Sequence, residues 1–586
     1  MKAAIVALYV VTATCWPTLS VLGQQQRRAR QPQQPARQDS GQESAANVRA
    51  LLGEASTLLQ EHKLDEALAV ARRAVSIAPR EAEAHSLLGV VLDQRGEATE
   101  AEREYLEALR LNPQAVAARA NLGVLLARTN RADRAIEAFE TVLRAAPAHP
   151  QANFNLAALY AARGDYAKAI PLLERVTGYG PPSRSQRPAS APSQSADLSL
   201  LLALSNAYVR AGRAKDALTL AGTIEQAAGD DARILFTLGV QMAEAREYER
   251  AVQLFERTNN LRPRTAEVLY NLGLALYNLD RLEEAASVME SAAALAPAEA
   301  EPLYRLGLIA SARGQSEAAL GYWLRATRLR EQFPEANFMI GEELFKNRRD
   351  ETAAEYYERA IAQDSSKLIY HVRLGATHFR RRHYAEARKV YERAAQSFPD
   401  SPEIHYLVGY AARAEGMYDD AEAAFNRALA LKADYADALA NLGFIATARG
   451  RDQEAERLLR RAIEIDAKNY PAFYDLGRLF VRLKRYDEAV PLLERAALMS
   501  KSDPGIHYQL FTAYSRLKRR ADADRELALF KQLEEARKNG AGGMSGNNGS
   551  TAEELPPPAE PAADSKQQPP PALAPPATNH ANPKTP

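Results

Sequence analysis

The sequence predicts an all-α solenoid of about fourteen helix-turn-helix units, and three observations carry that expectation. Counted from Val48 with a period of 34 residues and one interruption, the twentieth position of every unit is alanine, from Ala67 through Ala285 to Ala523. The eighth position is glycine in ten units, among them Gly89, Gly273 and Gly477, and the residue before it is aliphatic in every unit but the first. Within a unit, apolar residues such as Leu269, Leu272 and Leu276 recur at the three- and four-residue spacing of one helix face.

Each element follows from those columns. The first helix carries the Leu-Gly pair, where Gly273 removes a side chain so that a second helix can approach. Ala285 is expected as the small residue facing it, and a bulky side chain there costs roughly 1 to 3 kcal/mol of overpacking. Gly164, Gly212, Gly314, Gly416 and Gly450 mark a turn that needs a left-handed residue. Pro79, Pro113, Pro147, Pro263, Pro297 and Pro399 stop the second helix before the next unit.

Together these residues resemble the tetratricopeptide repeat family, whose units share the Leu-Gly, Ala, Phe/Tyr, Ala, Pro pattern, over Val48 to Arg537. The resemblance implies a tetratricopeptide-repeat α-solenoid, a right-handed superhelix whose first helices line a concave groove that receives peptides or protein segments. Departures are local: Ala55, Ala157, Ser205 and Phe511 replace the glycine, and the first and last units diverge most, as capping repeats often do.

The flanks read differently. Residues 1–23 hold one Lys, an apolar run, and Val21 and Gly23 spaced as a cleavage site, which resembles a secretory signal peptide. The alternative is a membrane anchor by the same segment, with Arg27, Arg28 and Arg30 just after it opposing translocation. Residues 24–47 read as a disordered Gln/Arg-rich linker, 48–181 as units one to four, 182–197 as a Pro/Ser-rich insertion, 198–537 as units five to fourteen, and 538–586 as a disordered Pro-rich tail. The expected location is periplasmic or secreted, with membrane contact only through an uncleaved N-terminal segment.

Composition narrows the chemistry. Among 586 residues, Lys plus Arg number 75 against 74 Asp plus Glu, so no global field recruits nucleic acid, and no nucleic-acid partner is expected. The single cysteine, Cys15, lies in the signal-like segment, leaving no thiol chemistry for the repeats. No phosphate-binding glycine loop, nucleophile elbow or His-Glu-x-x-His pair is present, so neither catalysis nor a cofactor is expected. His85, His371, His405 and His507 all occupy the fourth position, which reads as helix packing with a polar tip. His371, His378 and His383 lack a completing carboxylate, and no metal is expected. Similar repeats precede the catalytic region of O-linked N-acetylglucosamine transferases, but the sixth-position Asn ladder is broken here (Asn121, Asn155, Asn271, Asn441) and no transferase domain fits after the last repeat. The family's carboxylate clamp also fails around Asn271, where Phe236, Val240 and Glu301 depart from it and Arg305 alone matches.

What remains is a surface. The fifth position, expected to face the groove, is aromatic in Phe154, Phe236, Tyr270, Tyr304, Phe338, Tyr406, Tyr474 and Tyr508, with Tyr410 and Phe444 added from the ninth. Large rings with polar tips dominate interface energetics. A possible basic rim gathers Arg380, Arg381, Arg382, Arg519 and Arg520 near the inter-helix turns; a solvated face is the alternative. The expectation is an exported, non-catalytic scaffold binding a protein or peptide partner; the alternative is an accessory subunit of an envelope enzyme or polysaccharide-assembly machine.

Overall fold

A computed structural model describes residues 39–180 and 197–540. The signal-like segment, most of the linker, residues 182–196 and the tail from 541 lie outside the described residues. The described chain is helical throughout, with twenty-eight helices from α1 (Asp39–Gln60) to α28 (Arg520–Gly540), the odd-numbered ones being first helices and the even-numbered ones second helices of a repeat. They form two compact units that divide between Pro263 and Arg264.

The repeat is nearly invariant. In the seventh, the first helix α13 (Ala266–Asn278) is followed by Asp280 in the left-handed region and then by the second helix α14 (Leu282–Leu295). All fourteen repeats place a left-handed residue at this fifteenth position: Gly96, Gly164, Gly212, Gly314, Gly416 and Gly450 in six, and His62, Asn130, Arg246, Asp280, Arg348, Arg382, Lys484 and Lys518 in eight. The turn is therefore dictated by helix packing even where a side chain resists it. Five of the eight non-glycine residues are Arg or Lys, and a cation at a helix C-terminus is favoured by the helix dipole.

The twentieth-position alanines are fully buried in thirteen repeats and nearly so at Ala523. The neighbour of the eighth-position glycine differs from expectation, however. It is the large side chain at the twenty-fourth position: a Cβ on Gly341 would lie 2.6 Å from Tyr357, on Gly89 2.7 Å from Tyr105, and on Gly273 2.8 Å from Met289. Ala285 contributes only its carbonyl, 3.6 Å from that hypothetical Cβ of Gly273. Glycine thus creates a slot for a ring rather than meeting another small residue, while the alanine lets the backbones cross. Where the glycine is replaced, the opposing residue shrinks: Ala55 is matched by Ala71, Ser205 by Ala221, and Ala157 by Leu173.

Two boundaries move. Helix α1 begins at Asp39, so the last residues assigned to the linker are helical, because no proline follows Pro35 before Pro79 and propagation from a formed turn adds one hydrogen bond per residue. Helix α28 likewise runs past Arg537 to Gly540. The insertion does not interrupt stacking: the Tyr208 hydroxyl on α9 (Leu198–Arg210) donates to Glu174 on α8 (Tyr166–Thr177) at 2.8 Å, and Asp197 caps α9 by accepting from the Ser199 amide at 2.9 Å.

Two outcomes follow from the packing. Gly307→Ala, which drives a methyl into the buried Trp323 ring, is expected to lower stability by about 1 to 3 kcal/mol. The double variant Gly307→Ala/Trp323→Leu recovers part of that loss, since Ala157 with Leu173 is the same pairing; denaturant melts of the four-member cycle measure the coupling. Arg348→Gly is expected to stabilise by up to about 1 kcal/mol by relieving a left-handed non-glycine residue, whereas Gly314→Ala destabilises by about as much.

Candidate partner-binding face

The first helices of successive repeats lie side by side and form the face on which partner contacts were expected. The fifth-position rings do not stand free on it. Tyr270 is 1% exposed, Tyr406 4% and Tyr410 8%, so these three are core residues. Phe154, Phe236, Tyr304, Phe338, Tyr474 and Phe444 are half-buried, and Tyr508 in the last repeat is 47% exposed.

The reason is the seam between repeats. Phe338 stacks on Tyr370 of the following repeat at 4.7 Å between centroids, Tyr304 meets Phe333 at 5.0 Å, and Tyr406 meets Tyr435 at 5.1 Å. Each partner sits at or near the start of the next first helix. A ring at the fifth position thus fills the gap between one first helix and the next, and what remains exposed is an edge. Burial pushes the Tyr304 and Tyr474 hydroxyls up to about 12, so both stay protonated donors at neutral pH. Tyr406 and Tyr410 are brought together at 5.9 Å, while the other rings stay one to a repeat.

The basic rim is also largely absorbed. Arg380, with its side chain 12% exposed, lies 3.2 Å from the centroid of the Phe345 ring, donates to the Phe345 carbonyl at 2.7 Å and forks onto Asp350. Arg381 faces Glu351 at 3.8 Å, and Arg519 pairs with Asp522 at 2.7 Å over the Tyr514 ring. Arg382 and Arg520 stay exposed.

These pairs belong to a ladder that the sequence reading missed. An arginine at the end of a first helix meets an acid in the first turn of the preceding repeat's second helix, 30 residues upstream: Arg163 with Asp133 at 2.5 Å, Arg313 with Glu283 at 3.5 Å, Arg449 with Asp419 at 2.6 Å, and likewise Arg95 with Asp65 and Arg482 with Asp452. The signal was present as a basic residue followed back by an acid at that spacing. Each acid also sits at a helix N-terminus and each arginine at a C-terminus, where the dipoles favour them.

The fourth-position histidines behave as polar-tipped packing residues. His371 and His405 bond the Ser365 and Pro399 carbonyls at 3.2 and 2.9 Å, closing the loop before their own helix. His85 and His507 pair with Glu104 and Glu526 at 2.6 and 2.7 Å. His378 lies against His383 with ring centroids 6.5 Å apart, and burial holds His378 below its ordinary value.

This helical-repeat geometry defines a class, a solenoid of stacked helix pairs. The family follows from comparison with known proteins. The family model described as Tetratricopeptide repeat matches residues 52–116, 92–147, 121–184 and 243–300, and the one described as Cilia and flagella-associated protein 70 C-terminal domain matches 325–555. The chain belongs to the tetratricopeptide repeat family, a protein-interaction fold. It is similar to the solved structure of Naa15/Naa10 bound to HypK-THB, at 16% identity over 86% of this chain and 94% of that one, with a TM-score of 0.32. Yeast Tom70 is similar at 14% identity over 84% and 97%, TM-score 0.30, and the APC/C hetero-tetramer Cut9-Hcn1 at 12% over 81% and 98%, TM-score 0.32. Comparison with curated proteins finds no match.

Two measurements check these placements. A double-mutant cycle on Arg380 and Asp350 is expected to return a coupling above about 1.5 kcal/mol, against less than about 1 kcal/mol for exposed pairs. Tyr391→Phe, which deletes a fully buried hydroxyl with no hydrogen-bond partner, is expected to be neutral or stabilising by thermal melt. Tyr357→Phe, which strands Glu342 after the loss of a 2.6 Å bond, is expected to destabilise by about 1 to 3 kcal/mol.

Proposed function

We propose that this protein is an exported, non-catalytic scaffold that binds protein segments along the face of its first helices. The observation that carries this reading is the row of half-exposed rings, Phe154, Phe236, Tyr304, Phe338, Phe444 and Tyr474, each held by its inter-repeat seam. An anchor that is already immobilised loses little conformational entropy on binding, so its contact area converts efficiently into affinity. Successive repeats offer such an edge at one-repeat intervals, which suits an extended segment lying across several first helices. Export rests on the signal-like residues 1–23. No helix among the described residues is long and apolar enough to cross a membrane.

Crosslinking in the envelope fraction, followed by comparison with the triple variant Tyr304→Ser/Phe338→Ser/Phe444→Ser, tests the reading. Captured partners are expected to be lost while helical content is retained, each ring contributing about 1 to 2 kcal/mol as an interface anchor. Unchanged capture overturns the groove. N-terminal sequencing is expected to find a mature start near Gln24, and a chain beginning at Met1 in the cytosol removes the export claim.

A further inference from the structure

One charge on the first-helix face is left over. Helices α21 (Pro402–Ala414), α23 (Ala436–Ala448) and α25 (Tyr470–Arg482) bring Arg413 and Arg478 to the same ring, their guanidinium carbons 4.9 and 5.2 Å from the Phe444 centroid. Arg413 also lies 5.1 Å from the Tyr410 ring. Arg478 is matched by Asp475, at 2.9 Å. Arg413 is not: its Nε is buried without a hydrogen-bond partner, and no carboxylate pairs with it.

That makes it an exception. Among the described residues of the second compact unit, the other half-buried arginines meet a carboxylate, as Arg305 does Glu301 and Arg373 does Glu342 at 3.0 Å each, and Arg388 does Glu415 at 2.6 Å. A guanidinium laid on two rings has exchanged part of its hydration for contact with aromatic faces, and its planar fork is shaped to take a carboxylate by two hydrogen bonds. Asp475 does not supply that carboxylate, being committed to Arg478 and 8% exposed. The cluster of two cations and one anion therefore carries a net positive charge in a partly desolvated setting, where an incoming anion is worth more than in water.

We infer that Arg413, with Phe444 and Arg478 beside it, forms a subsite for a carboxylate presented by an acidic protein segment. The inference rests on the scaffold reading and specifies its ligand chemistry: an Asp or Glu side chain, or a chain terminus, bonded by Arg413, with an adjoining apolar residue on the exposed edges of Phe444 and Tyr474.

The test uses the full chain and short fluorescent peptides, read by anisotropy. The probes are an amidated repeat of Leu-Glu-Gly-Ser, the same peptide with Gln for Glu, and the Gln peptide with a free C-terminal carboxylate. The amidated Glu peptide is expected to bind at least about tenfold more tightly than the amidated Gln peptide, as for one charge-assisted hydrogen-bonded pair. Arg413→Gln erases that difference without changing the melting curve, Arg413→Lys restores part of it, and Arg427→Gln on the exposed surface leaves it intact. Tight binding of the free-carboxylate Gln peptide that is also lost in Arg413→Gln assigns the subsite to a chain terminus; loss confined to the Glu peptide assigns it to side chains. Equal affinity for the amidated Glu and Gln peptides, or a preference that survives Arg413→Gln, overturns the subsite and leaves the scaffold reading standing. If no peptide binds, the subsite also falls, and the crosslinking comparison alone decides the scaffold.

Discussion

Everything in this fold depends on how closely the two helices of a repeat can approach. The eighth and twentieth positions set that distance together: glycine opens a slot on the first helix, a ring or long side chain from the twenty-fourth position fills it, and alanine lets the second backbone cross close by. Trp323 shows how completely the slot is used. It is fully buried opposite Gly307, and its indole N–H donates to the Tyr304 carbonyl at 3.0 Å, so the largest side chain in the core leaves no unsatisfied donor. Because the crossing is the same in each repeat, the turn between the helices is the same too, and it forces a left-handed residue even on Arg and Lys.

Stacking one repeat on the next is governed by a second set of contacts, and these decide what the surface offers a partner. The aromatic seam and the Arg-acid ladder both join residues of adjacent repeats, and both draw on side chains that in isolation look like binding groups. The rings lose most of their area to the neighbouring first helix, and the arginines lose their charge to an acid in the neighbouring second helix. The face that remains is rigid, with thin aromatic edges and little net charge. In a chain whose cations and anions balance almost one for one, long-range steering is weak, and recognition falls to the few places where local pairing is incomplete. Arg413 is such a place.

Legibility varied by contact type. The repeat length, both helices, the turn and the helix-ending prolines were readable because each depends on local conformation or on a column repeated fourteen times. Gly273 was recognised as a site of close approach, but its partner was misassigned to Ala285, although the pairing of Ala55 with Ala71 and Ser205 with Ala221 records the compensation in the sequence. Tyr270 and Tyr406 were read as surface anchors because periodicity places a residue on a face without saying how much of that face the next repeat covers. Arg380 was read as rim charge because its acid, Asp350, lies 30 residues away, four short of the repeat period.

The sequence by itself determined the class, the length of each helix pair and the columns that bury alanine and glycine, since those follow from helix periodicity and steric size. Only the tertiary structure decided which aromatic rings are core and which present an edge, which arginines are neutralised, and that Arg413 is left without an acid. The physical reason is that burial and charge compensation are properties of pairs across a repeat boundary, set by the stagger of one helix pair on the next, and no single column contains that stagger.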